Sequence, residues 1–284
     1  MIVSEALLTA AARLRAAGVD SPEHDAEVLL RHAIGWDRAR LVVEGARRLQ
    51  PEDESAFRAL VEERAGRRPL QYITGTQWFW RHEFHVTPDV LIPRPETEIL
   101  VGAALEILRP LAHPVVVDVG TGSGCIALSL AAERPDAEVH ATDISAPALD
   151  VAKTNARRLG LEGRVHFHRG DLLEPLAAPA GHLDLVVSNP PYVEAADRDS
   201  LAPEVRDHEP ATALFLPGER ISVYRRLAGS AHALLKAGGW IALEVSPLVA
   251  DEVGHLLESG GFDTQPVLLD LAGRPRVVRG VKVK

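Results

Sequence analysis

Ser188-Asn189-Pro190-Pro191-Tyr192 follows directly on the apolar run Leu183-Asp184-Leu185-Val186-Val187. A buried strand that ends in Asn-Pro-Pro-aromatic presents an amide side chain and stiff backbone carbonyls at the carboxyl edge of a sheet. Open α/β sheets bind their ligands at that edge. Proline fixes φ and cannot extend the ladder, so the Pro190 carbonyl points in a defined direction. One Asn oxygen and one fixed carbonyl supply two acceptors for the two hydrogens of a planar –NH2 group. Taken alone, Asn-Pro-Pro equally describes a Pro-rich loop after a strand, so a second motif is needed to choose.

That motif lies upstream. Val115-Val116-Val117-Asp118-Val119 runs into Gly120-Thr121-Gly122-Ser123-Gly124, and Cys125-Ile126-Ala127-Leu128 opens a helix. Glycines at a strand-to-helix turn admit a ligand close to the backbone, and the helix N-terminus favours negative charge. A dinucleotide fingerprint requires G-x-G-x-x-G, whereas here the third glycine comes one residue early; no Gly-Lys-Ser/Thr follows for a Walker loop. G-x-G-x-G after an acid is the form used for nucleoside-methionine cofactors, where a carboxylate rather than a pyrophosphate meets the turn. Asp143 ends the next strand, placed to accept two ribose hydroxyls; the competing reading is a helix cap or a solvated strand end. Gly170-Asp171-Leu172 ends the third, where an acid receives an adenine amino group and Leu172 lies on the ring, although Gly-Asp is also ordinary turn chemistry. Four successive strand ends thus offer glycines, acid, acid and amide.

The elements that must position these residues alternate strand and helix. Strands are predicted at 114–119, 138–142, 164–168, 183–188, 239–245, 264–269 and 275–282. Alternation of this kind implies a doubly wound α/β fold, a mostly parallel sheet of seven strands covered on both faces. Too few residues around Ala272-Gly273 separate the last two for a crossover helix, so the final strand is expected antiparallel. Residues 1–68 read as a small helical bundle, with faces such as Leu7, Leu8, Ala11 and Leu14, or Ala26, Leu29, Leu30 and Ala33. Ser21 and Asp37 are the expected N-caps, and Gly18, Gly35 and Gly66 the stops. Its expected job is partner recognition, against a stabilising appendage. Residues 69–92 read as a β-hairpin linker, with Tyr72-Ile73-Thr74-Gly75, Trp78-Phe79-Trp80 and Phe84-His85-Val86 as aromatic-rich strands. Two prolines around Arg94 make a stiff segment suited to walling a pocket. The domain with the chemistry is then 93–284.

A formal charge of −9 argues against a nucleic-acid or anionic-membrane footprint. Cys125 is the only cysteine, so neither an internal disulfide nor a cysteine metal cluster is expected, and no metal site is assigned. No apolar run approaches the ~20 residues of a membrane span, and the N-terminus does not read as a signal peptide. The expectation is a cytoplasmic monomer without membrane contact.

The ensemble resembles the S-adenosylmethionine-dependent class I (Rossmann-like) methyltransferases, and Asn-Pro-Pro-Tyr resembles their amino-methylating subset. Further segments narrow the likeness: Arg68-Pro69-Leu70-Gln71-Tyr72-Ile73-Thr74-Gly75, Val90-Leu91-Ile92-Pro93-Arg94-Pro95-Glu96-Thr97-Glu98, Glu209-Pro210 with Ala213-Leu214, and Asp270-Leu271-Ala272-Gly273-Arg274. With these the chain is similar, over nearly its whole length, to the peptide chain release factor glutamine methyltransferases, the PrmC/HemK family. The resemblance implies methyl transfer from S-adenosyl-L-methionine to the glutamine amide of the Gly-Gly-Gln motif of class I release factors. It implies that Gly120, Thr121, Gly122, Ser123, Gly124, Asp143, Asp171, Leu172 and Asn189 contact the cofactor. Asn189, Pro190, Pro191 and Tyr192 would grip the substrate, with Asn189, Pro190 and Tyr192 catalytic and Tyr192 stacked on the planar amide. The chain departs from the family at Glu244-Val245-Ser246-Pro247, where a Gly usually follows the Glu, and at Leu172, where several relatives carry an aromatic. The alternatives are an adenine-N(6) nucleic-acid methyltransferase, a nicotinamide-dependent oxidoreductase disfavoured by the glycine spacing, and a non-catalytic S-adenosylmethionine-binding protein.

Overall fold

In the computed structural model, which describes residues 1–176, 179–215 and 218–283, the chain forms two compact units. The first comprises Met1–Thr76 with Leu201–His208, the second Gln77–Ser200 with Glu209–Lys284. A cut after residue 68 would therefore leave two pieces out of the first unit: the segment up to Thr76, and a short helix inserted from far downstream.

The first unit holds α1 (Val3–Ala16), α2 (Pro22–Ile34), α3 (Arg38–Val43), α4 (Pro51–Ala65) and α5 (Leu70–Thr74). The spacing of Val3, Ala6, Ala10 and Leu14 gives α1 one buried face, packed against Ala26, Leu29 and Leu30 of α2 and Phe57 and Val61 of α4. Asp37 caps α3 by accepting the Arg40 N–H at 2.7 Å, while Ser21 precedes α2 without a side-chain cap bond. Tyr72-Ile73-Thr74-Gly75, expected as a strand, instead closes α5. Pro69 presets the first turn, Tyr72 is buried, Leu70 and Ile73 join the bundle core, and Gly75 stops the helix at φ +76°. A buried Arg64 pairs with Asp25 at 2.7 Å and with Glu204 at 2.9 Å, and Arg67 takes the other Glu204 oxygen at 2.6 Å. Glu204 lies on the inserted helix α9 (Pro203–His208).

The second unit begins with a hairpin whose strands are β1 (Thr76–Phe79) and β2 (His82–His85), followed by a 3-10 turn (Pro95–Thr97) and α6 (Glu98–Leu108). Then come β3 (Val115–Val119), α7 (Cys125–Glu133), β4 (Glu138–Asp143), α8 (Ala146–Arg158), β5 (Val165–Arg169) and β6 (Leu183–Ser188). After α10 (Ala211–Leu214) follow α11 (Ser222–Leu234), β7 (Leu235–Glu244), α12 (Ala250–Ser259), β8 (Phe262–Leu269) and β9 (Pro275–Lys282). The large sheet has the order β5-β4-β3-β6-β7-β9-β8, with β9 antiparallel to both β7 and β8. Strand β7 starts four residues earlier than predicted, because Gly238 at φ +77° lets the chain pass an irregularity opposite Leu183–Leu185.

Both faces are covered, as the continuous valines of β3 require. Val116, Leu185 and Val187 pack into one layer with α6 and α7, whereas Val117, Val119 and Val186 face the layer of Tyr224, Leu227 and Val253. The hairpin joins the first layer. Phe79 and Phe84 are buried in an edge-on pair 6.1 Å apart, and Asn155 bonds the His85 N–H and C=O while also reaching the Ser123 carbonyl.

Candidate active site

The parallel register brings the chemistry-bearing residues into one row. Val119 pairs with Thr142 and Ser188, and Ser188 with Leu243. Gly120, Asp143, Asn189 and Glu244 therefore lie at neighbouring strand ends. The row straddles β3, the strand at which the order reverses and where such sheets open a crevice. A cavity of about 540 Å³ occupies this place.

Asp118 pins the glycine turn from beneath. Its Oδ2 accepts the Thr121 hydroxyl at 2.6 Å and the Ala127 N–H at 3.2 Å; its Oδ1 is buried without a partner. Burial pushes this carboxyl up to about 7. Gly120 and Gly122 take φ +72° and +54°, and a Cβ on either would stand in open space, so their backbone faces the cavity. Gly124 differs. It does not line the cavity, and a Cβ there would stand 3.0 Å from Leu128 and 3.1 Å from Ala152. Its missing side chain is what lets α7 pack closely on α8.

Asp143 lines the cavity with its carboxylate braced by the backbone: Oδ2 accepts the Gly122 N–H at 2.9 Å and Oδ1 the Ser145 N–H at 2.8 Å. Burial raises its pKa. Ser145, not Asp143, caps α8. Asp171 and Leu172 also line the cavity. Asp171 is paired with Arg226 of α11, a lining residue that the chain order gave no reason to single out. Leu172, which lines the cavity and also packs against the core of Tyr224 and Leu227, sits at φ +48°, a left-handed conformation that costs a non-glycine residue about 1–2 kcal/mol.

Asn189, Pro190 and Pro191 form the edge of the cavity under β6. The Asn189 amide nitrogen donates to the Thr97 hydroxyl at 3.2 Å. Tyr192 is half-buried but outside the lining, and the charges around it are Glu244, Arg276, Arg94 and Glu96. The structure thus brings Asn189 and both prolines to the cavity, while Tyr192 is not among its lining residues. Beyond Tyr192, the Val193 N–H bonds the Leu214 carbonyl, which draws α10 alongside, and Ala211, Thr212 and Phe215 make the opposite wall. Arg94 lines the cavity and pairs with the buried Glu209 at 2.5 Å; burial raises the Glu209 pKa while Arg94 opposes that shift. The sequence offered Pro93-Arg94-Pro95 as a wall; Thr97, Glu209 and Glu244 entered only inside family-like segments with no role assigned to them, and Arg226 carried no signal. Among the described residues no cluster of acids, histidines or cysteine could hold a metal ion, and no helix is long and apolar enough to cross a membrane.

Comparison with known proteins places this geometry. Residues 5–75 match the family described as PrmC N-terminal domain, and residues 97–243 the Methyltransferase small domain family. The chain is 44% identical to the release factor glutamine methyltransferase of Cereibacter sphaeroides, over 98% of both chains. It is 43% identical to the one of Deinococcus radiodurans, again over 98% of each. Among solved structures it resembles a methyltransferase from Pyrococcus furiosus, with TM-score 0.51 and 14% identity over 71% of this chain and 89% of that one. It also resembles a 16S rRNA methyltransferase from T. thermophilus in complex with AdoMet and guanosine, with TM-score 0.53 and 23% identity over 73% of this chain and 49% of that one. These two likenesses bear on the fold, that of class I methyltransferases; the full-length identities bear on more, and the chain belongs to the release factor glutamine methyltransferase family.

Proposed function

We propose that this protein transfers a methyl group from S-adenosyl-L-methionine to the side-chain amide nitrogen of the glutamine in the Gly-Gly-Gln motif of class I release factors. The observation that carries the reading is Asn189-Pro190 at the cavity edge, with the Asn189 nitrogen held by Thr97 and its oxygen left for a ligand.

The cavity suits the cofactor on its own features. Open backbone at Gly120 and Gly122 leaves room for a ligand that a side chain would fill, and Asp143 presents a braced carboxylate of the kind that accepts two hydroxyls. Leu172 supplies an apolar surface for a flat ring. The Asp171 carboxylate, shared with Arg226, would take a ring amino group. When bound, the sulfonium supplies an electrophilic methyl whose bonding pair returns to sulfur as the new bond to nitrogen forms.

The protein's own part is to make an amide nitrogen nucleophilic. Its lone pair is delocalised into the carbonyl, so acceptors must draw on both N–H bonds and stabilise the positive charge that develops. The Asn189 Oδ1 and the Pro190 carbonyl are those acceptors. Holding the nitrogen in line supplies much of the remaining gain. Once methylated, the nitrogen is acidic enough to lose its proton to water, so no strong base is required. Tyr192, the last residue of the loop motif, is proposed to stack on the planar amide of the bound substrate. The helical unit is assigned to recognition of the release factor, and the acidic net charge to a protein rather than a nucleic-acid partner. The chain is proposed to act as a monomer in the cytoplasm.

Asn189→Ala removes one acceptor and should lower kcat by at least about 100-fold, with cofactor affinity and thermal unfolding near those of the parent. A variant that methylates at the parent rate would remove Asn189 from the mechanism.

A further inference from the structure

Two segments that stand out in the sequence, Pro93-Arg94-Pro95-Glu96 and Glu209-Pro210 with Ala213-Leu214, take no part in the chemistry above, and the structure joins them. Arg94 Nη2 donates to Glu209 Oε1 at 2.5 Å, across 115 residues of chain. The Glu209 side chain is 1% exposed and that of Arg94 30%. A carboxylate buried this far is tolerated when an opposite charge compensates it, and removing that charge is costly.

The pair sits at a place where the chain would otherwise be loosely guided. Beyond Ser200 the chain leaves the second unit, because residues 201–208 belong to the first, and it returns at Glu209. The residues that follow at once, Ala211, Thr212, Ala213 and Phe215, line the same cavity as Asn189 and Pro190. Two ties fix this stretch. At its far end the Val193 N–H donates to the Leu214 carbonyl at 3.0 Å, and Val193 pairs with Phe215. At its near end Glu209 is held by Arg94, which stands between two prolines of fixed φ and three residues before Thr97, the partner of Asn189 at 3.2 Å. Both ties therefore lead back to the Asn-Pro-Pro-Tyr loop.

We infer that Arg94 and Glu209 are positioning residues, an ion pair that holds the α10 wall of the cavity at a set distance from Asn189-Pro190, so that the substrate amide is gripped in line with the methyl group. The inference rests on the acceptor role proposed for Asn189. Loss of either member releases the near end of α10 and leaves the glycine turn, Asp143 and Asp171 on their own strand ends. Arg94 also lines the cavity, so its effect must be told apart from direct contact with a ligand. Direct contact would belong to Arg94 alone, whereas positioning needs both residues.

The test uses full-length protein, a class I release factor and S-adenosyl-L-methionine, with Arg94→Gln, Glu209→Gln and the double variant. Each single change is expected to lower kcat by about 10- to 100-fold, the cost of a displacement near 1 Å at the reacting atoms. The double variant should be no slower than the slower single one, because a pair acting as a unit is lost only once. The cofactor dissociation constant, measured at equilibrium, should stay at the parental value in all three. Arg94→Lys, which keeps a charge facing Glu209, is expected to recover part of the rate. Parental kcat in both single variants overturns the inference, as do losses that multiply in the double variant. Weaker cofactor binding in Arg94→Gln but not in Glu209→Gln also overturns it, and makes Arg94 a ligand-contacting residue. Asn189→Ala is the control for the underlying role: turnover at the parent rate removes the acceptor reading, whereas an inactive Asn189→Ala beside fully active Arg94 and Glu209 variants leaves it standing. Should Arg94→Gln unfold for want of a charge against Glu209, Glu209→Gln and Arg94→Lys still decide.

Discussion

At the residue scale, the four strand ends divide between contact and support. Gly120, Thr121, Gly122, Ser123, Asp143, Asp171, Leu172 and Asn189 all reach the cavity, while Gly124 does not. The spacing made these residues legible because each sits in a short contiguous motif whose period places it at a strand end. It could not separate Gly124 from its neighbours, since a glycine kept for ligand approach and one kept for helix packing look alike in a row of letters. The distinction has a consequence. Gly124→Ala combines a positive φ with a Cβ 3.0 Å from Leu128, and should cost about 1–3 kcal/mol in urea unfolding. Gly122→Ala meets nothing within 4 Å and should cost about 1 kcal/mol, but weaken S-adenosyl-L-methionine binding measured at equilibrium. Equal losses of stability with unchanged binding would contradict the assignment. Thr97 stayed hidden for another reason: its bond to Asn189 is made by tertiary register across 92 residues of chain, and the sequence showed it only inside the Val90–Glu98 segment.

At the element scale, strand periodicity located the seven strands of the sheet to within a few residues, and the short β8–β9 connection gave the antiparallel end correctly. The miss is α5. Aromatic and β-branched residues at Tyr72-Ile73-Thr74 favour a strand, yet the burial of Tyr72 and the stop at Gly75 make one helical turn the better fit. The elements also bury carboxyls at their ends, with a cost that depends on pH. Asp118 at the end of β3 and Glu244 at the end of β7 are pushed up to about 7, each by burial first. The folded protein therefore holds these two protons at pH values where the unfolded chain has released them. Their contribution is fully present below about pH 4 and is lost as pH rises to 7, on the order of 3–4 kcal/mol each. Asp270 works in the opposite sense at lower pH: the Arg274 N–H, then Arg276, holds it down to about 2, so its contribution is lost below pH 4. Urea unfolding should show stability declining from pH 5 to 8, and Glu244→Gln should remove part of that decline. A decline of the same size in the variant would mean that Glu244 is not one of the groups responsible.

At the scale of the whole molecule, the chain is two units whose boundary the sequence blurred. Composition marked the helical bundle, but nothing in residues 201–208 announced that this stretch belongs with it, because the link is made by Glu204 to Arg64 and Arg67. The inserted helix leaves the second unit a few residues past the Asn-Pro-Pro-Tyr loop and returns at Glu209, the partner of Arg94. The full-length release factor glutamine methyltransferase relatives favour the protein-methylating reading, and a net charge of −9 is in keeping with it. The most direct measurement is peptide mass spectrometry of a class I release factor incubated with this protein and S-adenosyl-L-methionine, beside DNA and RNA in parallel reactions. A single methyl on the glutamine of the Gly-Gly-Gln motif, absent with Asn189→Ala, is the expected result. An unmodified release factor together with methylated adenine in the nucleic acid would contradict the account.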